Sequence, residues 1–185
     1  MILEFESFAE MERWFAENHS TSEGFWLRFY KRDSKVASVR PPEALEVLLC
    51  YGWITGQARP HDERSWLGRM VPRRPGSIWS KVNVAMAERL IEEGRMKPAG
   101  LQKVNEAKAD GRWHRAYSPH RSAVFPPDFL EALGKNKSAE QFSKTLSRAN
   151  SYAIIFRLET AKDPSLRKRK IAAIVRMLEE GKTFH

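Results

Sequence analysis

The sequence predicts an α+β fold: a small N-terminal sheet with helices, then a mostly helical C-terminal half. Three observations carry this. Phe25 to Lys31 alternates apolar and polar with a period of two, the signature of a half-buried strand. Helix-start signals recur at Ser7, Pro41, Pro98 and Asp163-Pro164. Beyond Gly76 the alternation fades and apolar stripes at helical spacing take over.

Ile2 to Phe5 reads as a short strand. Ser7 then caps a helix, with Glu10 completing a capping box and Phe8, Met11 and Phe15 forming the apolar stripe to about Asn18. His19 to Gly24 is a turn-rich break. On the following strand Phe25, Leu27 and Phe29 face one way, and Trp26, Arg28 and Tyr30 the other. Lys31 to Lys35 reads as a charged turn and Val36 to Arg40 as the returning strand of a hairpin. Pro41-Pro42 opens a helix striped by Leu45, Leu48 and Leu49, which Gly52 and Gly56 end. Trp66 to Val71 reads as another strand, stopped by Pro72 and Pro75.

In the later half, Ser80 caps a helix that Gly94 terminates, and Pro98 starts one ending at Gly111. Residues 112–125 form a loop. Pro126-Pro127-Asp128 opens a short helix closed by Gly134, and Ser138 with Gln141 reads as a capping box. A break falls near Ser147 to Asn150. Asp163 as N-cap with Pro164 at the first helical position starts the last helix, which Gly181 stops. The expected organisation is an α+β domain over residues 1–121 and a helical module over 122–185 packed on it.

Composition narrows the function classes. The longest apolar run, Val47 to Ile54, is far short of the roughly 20 residues a membrane span needs. The opening Met-Ile-Leu-Glu-Phe-Glu has neither a basic start nor an apolar run, so no signal peptide is expected. Cys50 is the sole cysteine, which excludes an internal disulfide and suits a reducing cytoplasm. The net charge of +9 is uneven: residues 1–60 carry 7 Lys/Arg against 9 Asp/Glu, net −2, and residues 61–185 carry the remainder, net +11. That excess reads either as a polyanion-binding surface or as a solvated helical surface rich in Lys and Arg.

Two segments offer candidate binding chemistry. In Cys50 to Gln57, Gly52 and Gly56 permit close backbone approach, Trp53 offers a flat stacking face and Gln57 an amide. The alternative is a helix end followed by a strand packed under Trp53. In the second segment, Arg73 and Arg74 sit between Pro72 and Pro75, which stiffen them. The helix start at Trp79-Ser80-Lys81 adds unpaired N–H groups and an ammonium, with Asn83 on the first turn. Two guanidiniums, a lysine and a helix N-terminus suit a phosphate or carboxylate. Alternatively the arginines pair with Asp62, Glu63 or the last helix. The candidate ligand-binding set is therefore Trp53, Gln57, Arg73, Arg74, Trp79, Ser80, Lys81 and Asn83.

Three segments resemble the bacteriocin-protection family, also called YdeI/OmpD-associated: Leu49-Cys50-Tyr51-Gly52-Trp53-Ile54-Thr55-Gly56-Gln57; Pro72-Arg73-Arg74-Pro75 through Trp79-Ser80-Lys81-Val82-Asn83 to Met96; and Thr160-Ala161-Lys162-Asp163-Pro164 through Arg167 and Arg169. The resemblance implies a role in bacterial resistance to bacteriocins or cationic peptides, or association with an outer-membrane porin, and brings no defined reaction. Two departures stand out. Thr55 replaces the family's Asp, and Arg167 to Lys170 is offset from its basic pattern.

The expected function is thus non-catalytic binding of a small anionic or peptide ligand in a stress or antimicrobial-resistance role. Catalytic residues are unassigned; an enzyme alternative places Cys50 or Tyr51 at the reacting position of the same cleft. No cofactor or metal is expected, since the five histidines are scattered and no HExxH, CxxC, P-loop or GxGxxG is present. Nucleic acid is expected to bind only weakly and non-specifically, through basic surface such as Arg167-Lys168-Arg169-Lys170.

Overall fold

A computed structural model describes all residues, Met1 to His185. The chain forms two compact units: Met1–Ser77 with Asn83–Gly111, and Ile78–Val82 with Arg112–His185.

The first unit is α+β. Its elements are β1 (Ile2–Leu3), α1 (Phe8–Asn18), β2 (Phe25–Tyr30), α2 (Pro41–Cys50), β3 (Trp53–Asp62), β4 (Ser65–Pro72), most of α3 (Lys81–Glu92) and α4 (Pro98–Ala109). The sheet order is β1-β2-β4-β3; β1 runs parallel to β2, and the other pairs are antiparallel. The predicted caps are in place. Ser7 accepts from the Glu10 N–H while Glu10 returns a carboxylate to the Glu6 N–H, and Pro41 and Pro98 begin their helices.

Two sequence expectations are corrected. Val36 to Arg40 is not a strand. The edges of β2 are already taken by β1 and β4, so a hairpin return has no place to pair. β3 is longer than the glycine punctuation implies. It runs through Gly56 and Pro60 because it is the edge strand, where register shifts between Thr55 and Ala58 and between Pro60 and Asp62 absorb both residues.

The core of this unit lies between the helices and one face of the sheet. Phe25 and Leu27 are buried there with Met11 and Phe15 of α1, Leu48 of α2 and Trp53. Phe15 meets Phe25 and Trp53 at ring separations of 6.0 and 5.0 Å. Phe29 stacks on Trp66 at 4.4 Å across the β2–β4 pair. Gly52, at φ +74°, turns the chain from α2 into β3 in a conformation that disfavours a side chain.

The second unit is helical: α5 (Pro127–Gly134), α6 (Lys137–Ser143), α7 (Arg148–Glu159) and α8 (Pro164–Glu179). Ser147 caps α7, and Asp163 caps α8 by accepting from the Leu166 N–H. The cap of α6 is Asn136, which accepts from the Ala139 N–H, rather than Ser138; the helix starts two residues earlier than the Ser/Gln spacing suggests. Phe129, Leu133, Ile154, Leu158, Ile174 and Leu178 form the core. The segment Ile78–Val82 belongs here because Ser80 bridges to Tyr117, with Lys81 N–H donating to Tyr117 O and Tyr117 N–H to Trp79 O.

Candidate functional site

The two N-terminal signature segments meet through the sheet. Trp53 lies opposite Pro72 in the β3–β4 register, and the Arg73 N–H donates to Gly52 O at 3.0 Å. Trp53 is 1 % exposed, packed edge-on against Trp14 and Phe15, and its indole N–H donates to His19 O. Its ring therefore serves the core. Gln57 is exposed on β3. Arg73 is 3 % exposed, whereas Arg74 is exposed at a turn in which Ser77 N–H donates back to Arg74 O. Asn83 lies in the first turn of α3, in the first unit.

Trp79, Ser80 and Lys81 belong to the second unit. Trp79 is buried and edge-on to Trp113 at 4.9 Å. Lys81 Nζ donates to Ser118 Oγ at 2.8 Å and lies 3.4 Å from Glu159 Oε1. Ser118 in turn donates its hydroxyl and its backbone N–H to Glu159, at 2.6 and 2.7 Å. This lysine–serine–carboxylate clamp ties the start of α3 to the end of α7. The basic run on α8 is partly engaged in the same way: Arg167 makes a two-pronged contact with Asp128 and donates to Leu158 O, and Lys170 donates to Arg157 O.

Cys50 is buried, and burial pushes its thiol up to about 11 despite the opposing field of Arg95. A thiol so placed is a poor nucleophile. Burial likewise raises the Tyr51 hydroxyl. No group of three His, Cys, Asp or Glu side chains is arranged to hold a metal ion. A shallow groove of about 610 Å³ between α5 and α8 has Ala132, Ile171, Ala172 and Val175 as its apolar floor.

The most developed cationic and aromatic cluster lies on the sheet face opposite the helices. Directly paired residues share a face, so on this side lie Trp26, Arg28 and Tyr30 of β2, Arg69 of β4 with the buried Ser65 and Leu67, and Arg59 and Asp62 of β3. The Arg59 guanidinium sits over the Trp26 ring at 4.3 Å, and that of Arg69 at 5.9 Å. Gly56 leaves the space beside Arg69 unfilled, its Cβ position lying 3.5 Å from Arg69 Cβ. At the other end Arg28 lies over Tyr30 at 4.5 Å and pairs with Glu4 and Asp62. Asp62 is held down to about 2, chiefly by the Ser65 hydroxyl, with help from the Arg64 N–H and Arg28 against some desolvation. The face is thus neutralised near Tyr30 and cationic near Trp26. The outward alternation of Trp26, Arg28 and Tyr30 is legible in the sequence; the arrival of Arg59 and Arg69 depends on strand order.

In fold and site the chain is an α+β protein with an open, arginine-framed sheet face and a separate helical unit. Residues 3–103, more than half of the chain, match the model of a domain of unknown function, DUF8412, and the chain belongs to that family. Residues 122–181 match the family described as bacteriocin-protection, YdeI or OmpD-associated. That stretch holds the third of the resembling segments, whereas the first two lie within the other match. No curated protein and no solved structure matches the chain. No helix is long and apolar enough to cross a membrane.

Proposed function

We propose that this protein acts by binding an anionic ligand, without covalent chemistry, on the open face of its sheet. The observation that carries the reading is the pair of guanidiniums, Arg59 and Arg69, gathered over Trp26 rather than against carboxylates. Arginine gives an anion forked donors, and the guanidinium of Arg59, backed by the indole, gives a planar part of the ligand a stacking surface. From the sequence-selected residues we keep Gln57 and Arg74 as exposed contributors next to this sheet. We assign Trp53, Trp79 and Lys81 to packing and clamping, on the burial and bonding above. The raised, buried Cys50 thiol speaks against the enzyme alternative.

Given the match of residues 122–181, we place the role in resistance to bacteriocins or cationic peptides. A lone cysteine, buried and unpaired, suits a reducing cytoplasm.

Isothermal titration of the full chain with tripolyphosphate tests the binding reading. Wild type is expected to bind, and Arg59→Ala and Arg69→Ala each to weaken binding by about tenfold, the value of one charge-assisted contact. No heat with wild type, or variants that bind as wild type does, would overturn it.

A further inference from the structure

We infer that the ligand class of the open sheet face is single-stranded nucleic acid; this rests on the anion-binding reading above and narrows it. Trp26 and Tyr30 project from the same face of β2, four residues apart, so they are spaced at roughly 13 Å for a rise of ~3.3 Å per residue. Two aromatic rings at that spacing, each with a guanidinium over it (Arg59 on Trp26, Arg28 on Tyr30), give two separate stacking stations for bases that are not adjacent in an extended strand. Arg59 lies over the first ring, where its guanidinium plane is itself a stacking surface, and with the more distant Arg69 it supplies cations for the phosphates. Thr55 to Asp62 of β3 is exposed along its length, so the platform opens onto solvent rather than into an enclosed cavity. An open face suits an extended strand, which gathers many contacts along its length, better than a small molecule, which needs enclosure.

The same geometry sets the footprint. Glu4 and Asp62 already satisfy Arg28, and Tyr30 donates its hydroxyl to Glu4. That end therefore offers stacking with no net positive charge; Arg74, beyond the end of β4, lies outside the footprint of the bound strand, and the phosphate contacts are confined to Arg59 and Arg69. Two phosphates neutralised on a single strand give a slope of log K against log salt of about −1.4, at ~0.7 per contact. The face has no arrangement for reading base edges, so recognition is tolerant of sequence.

The test is fluorescence anisotropy of a short fluorescein-labelled oligothymidine with the full chain, across a salt series. The expected slope is about −1.4. Arg59→Ala and Arg69→Ala should each flatten it by ~0.7. Trp26→Ala should weaken binding by about tenfold or more, whereas Trp26→Phe keeps most of it. Arg176→Ala removes an equal charge from α8, far along the chain and paired with Glu180, and should change nothing. The inference falls if the arginine variants keep the wild-type slope, if Trp26→Ala binds as wild type does, if Arg176→Ala flattens the slope as much as Arg59→Ala, or if a duplex of equal length binds as tightly as the single strand. If tripolyphosphate binds and needs Arg59 and Arg69 while the oligonucleotide does not bind, the anion reading stands and this inference fails. If neither binds, both fail.

Discussion

The approach of α4 to the end of α2 is tight enough to predict the sign of a substitution that helix propensity alone would get wrong. Gly100 lies inside α4 and is buried. A methyl group placed there would overlap Cys50 O and would lie 2.5 Å from Leu49 O and 2.6 Å from Met96 Sδ. Two of those neighbours are backbone carbonyls and cannot rotate aside. Alanine gains about 1 kcal/mol over glycine in a helix interior. Against this, forcing the helices apart costs about 1–3 kcal/mol as overpacking. It also strains the Lys97 N–H to Cys50 O bond of 3.3 Å, at about 1 kcal/mol. Gly100→Ala should therefore lose about 1–3 kcal/mol net. Gly134, at the end of α5, has nothing within 4 Å of its Cβ position, so Gly134→Ala should gain up to about 1 kcal/mol. Urea unfolding followed by far-UV circular dichroism measures both. If Gly100→Ala is as stable as wild type, α4 does not press on the Leu49–Gly52 segment as described.

Two further outcomes follow from the titrating groups. Cys50, with its thiol pushed up to about 11, should resist Ellman's reagent at neutral pH until the protein is unfolded by urea; rapid labelling of the native chain would refute its burial. The Arg167 guanidinium holds the Asp128 carboxyl below its ordinary value of 3.8. A lowered carboxylate stabilises the fold above that ordinary value and loses its contribution as pH falls through the folded one. Wild type should thus exceed Asp128→Asn by about 0.5–1 kcal/mol at neutral pH, in keeping with a partly exposed pair. The gap should shrink as urea unfolding is repeated toward acid. A gap that stays constant or widens there would count against the pair.

The helices were largely legible because their signals are local. Ser7 with Glu10, Pro41, Pro98 and Asp163-Pro164 each mark a start through groups within four residues, and each sits where the sequence places it. The sheet was less so, because pairing is decided at a distance. Val36 to Arg40 has strand-like residues, yet β1 and β4 hold both edges of β2. Pro60 argues against a strand until its place on an edge is known. The same reason hid the site. Trp26 announced itself by alternation, whereas Arg59 and Arg69, ten residues apart in sequence, converge on it only through the β2-β4-β3 order. Trp53 shows the reverse case: a tryptophan between two glycines looks available for stacking, and the long-range packing of α1 takes it into the core.

The most direct measurement of anion binding on the open face is a titration of the isotope-labelled full chain with tripolyphosphate, read by proton–nitrogen correlation spectra. The indole N–H of Trp26 and the backbone amides of Arg59 and Arg69 should shift first and saturate together, while the indole N–H of Trp53, bonded to His19 O, stays in place. Shifts that spare Trp26 and centre on any other surface would contradict the assignment of the site.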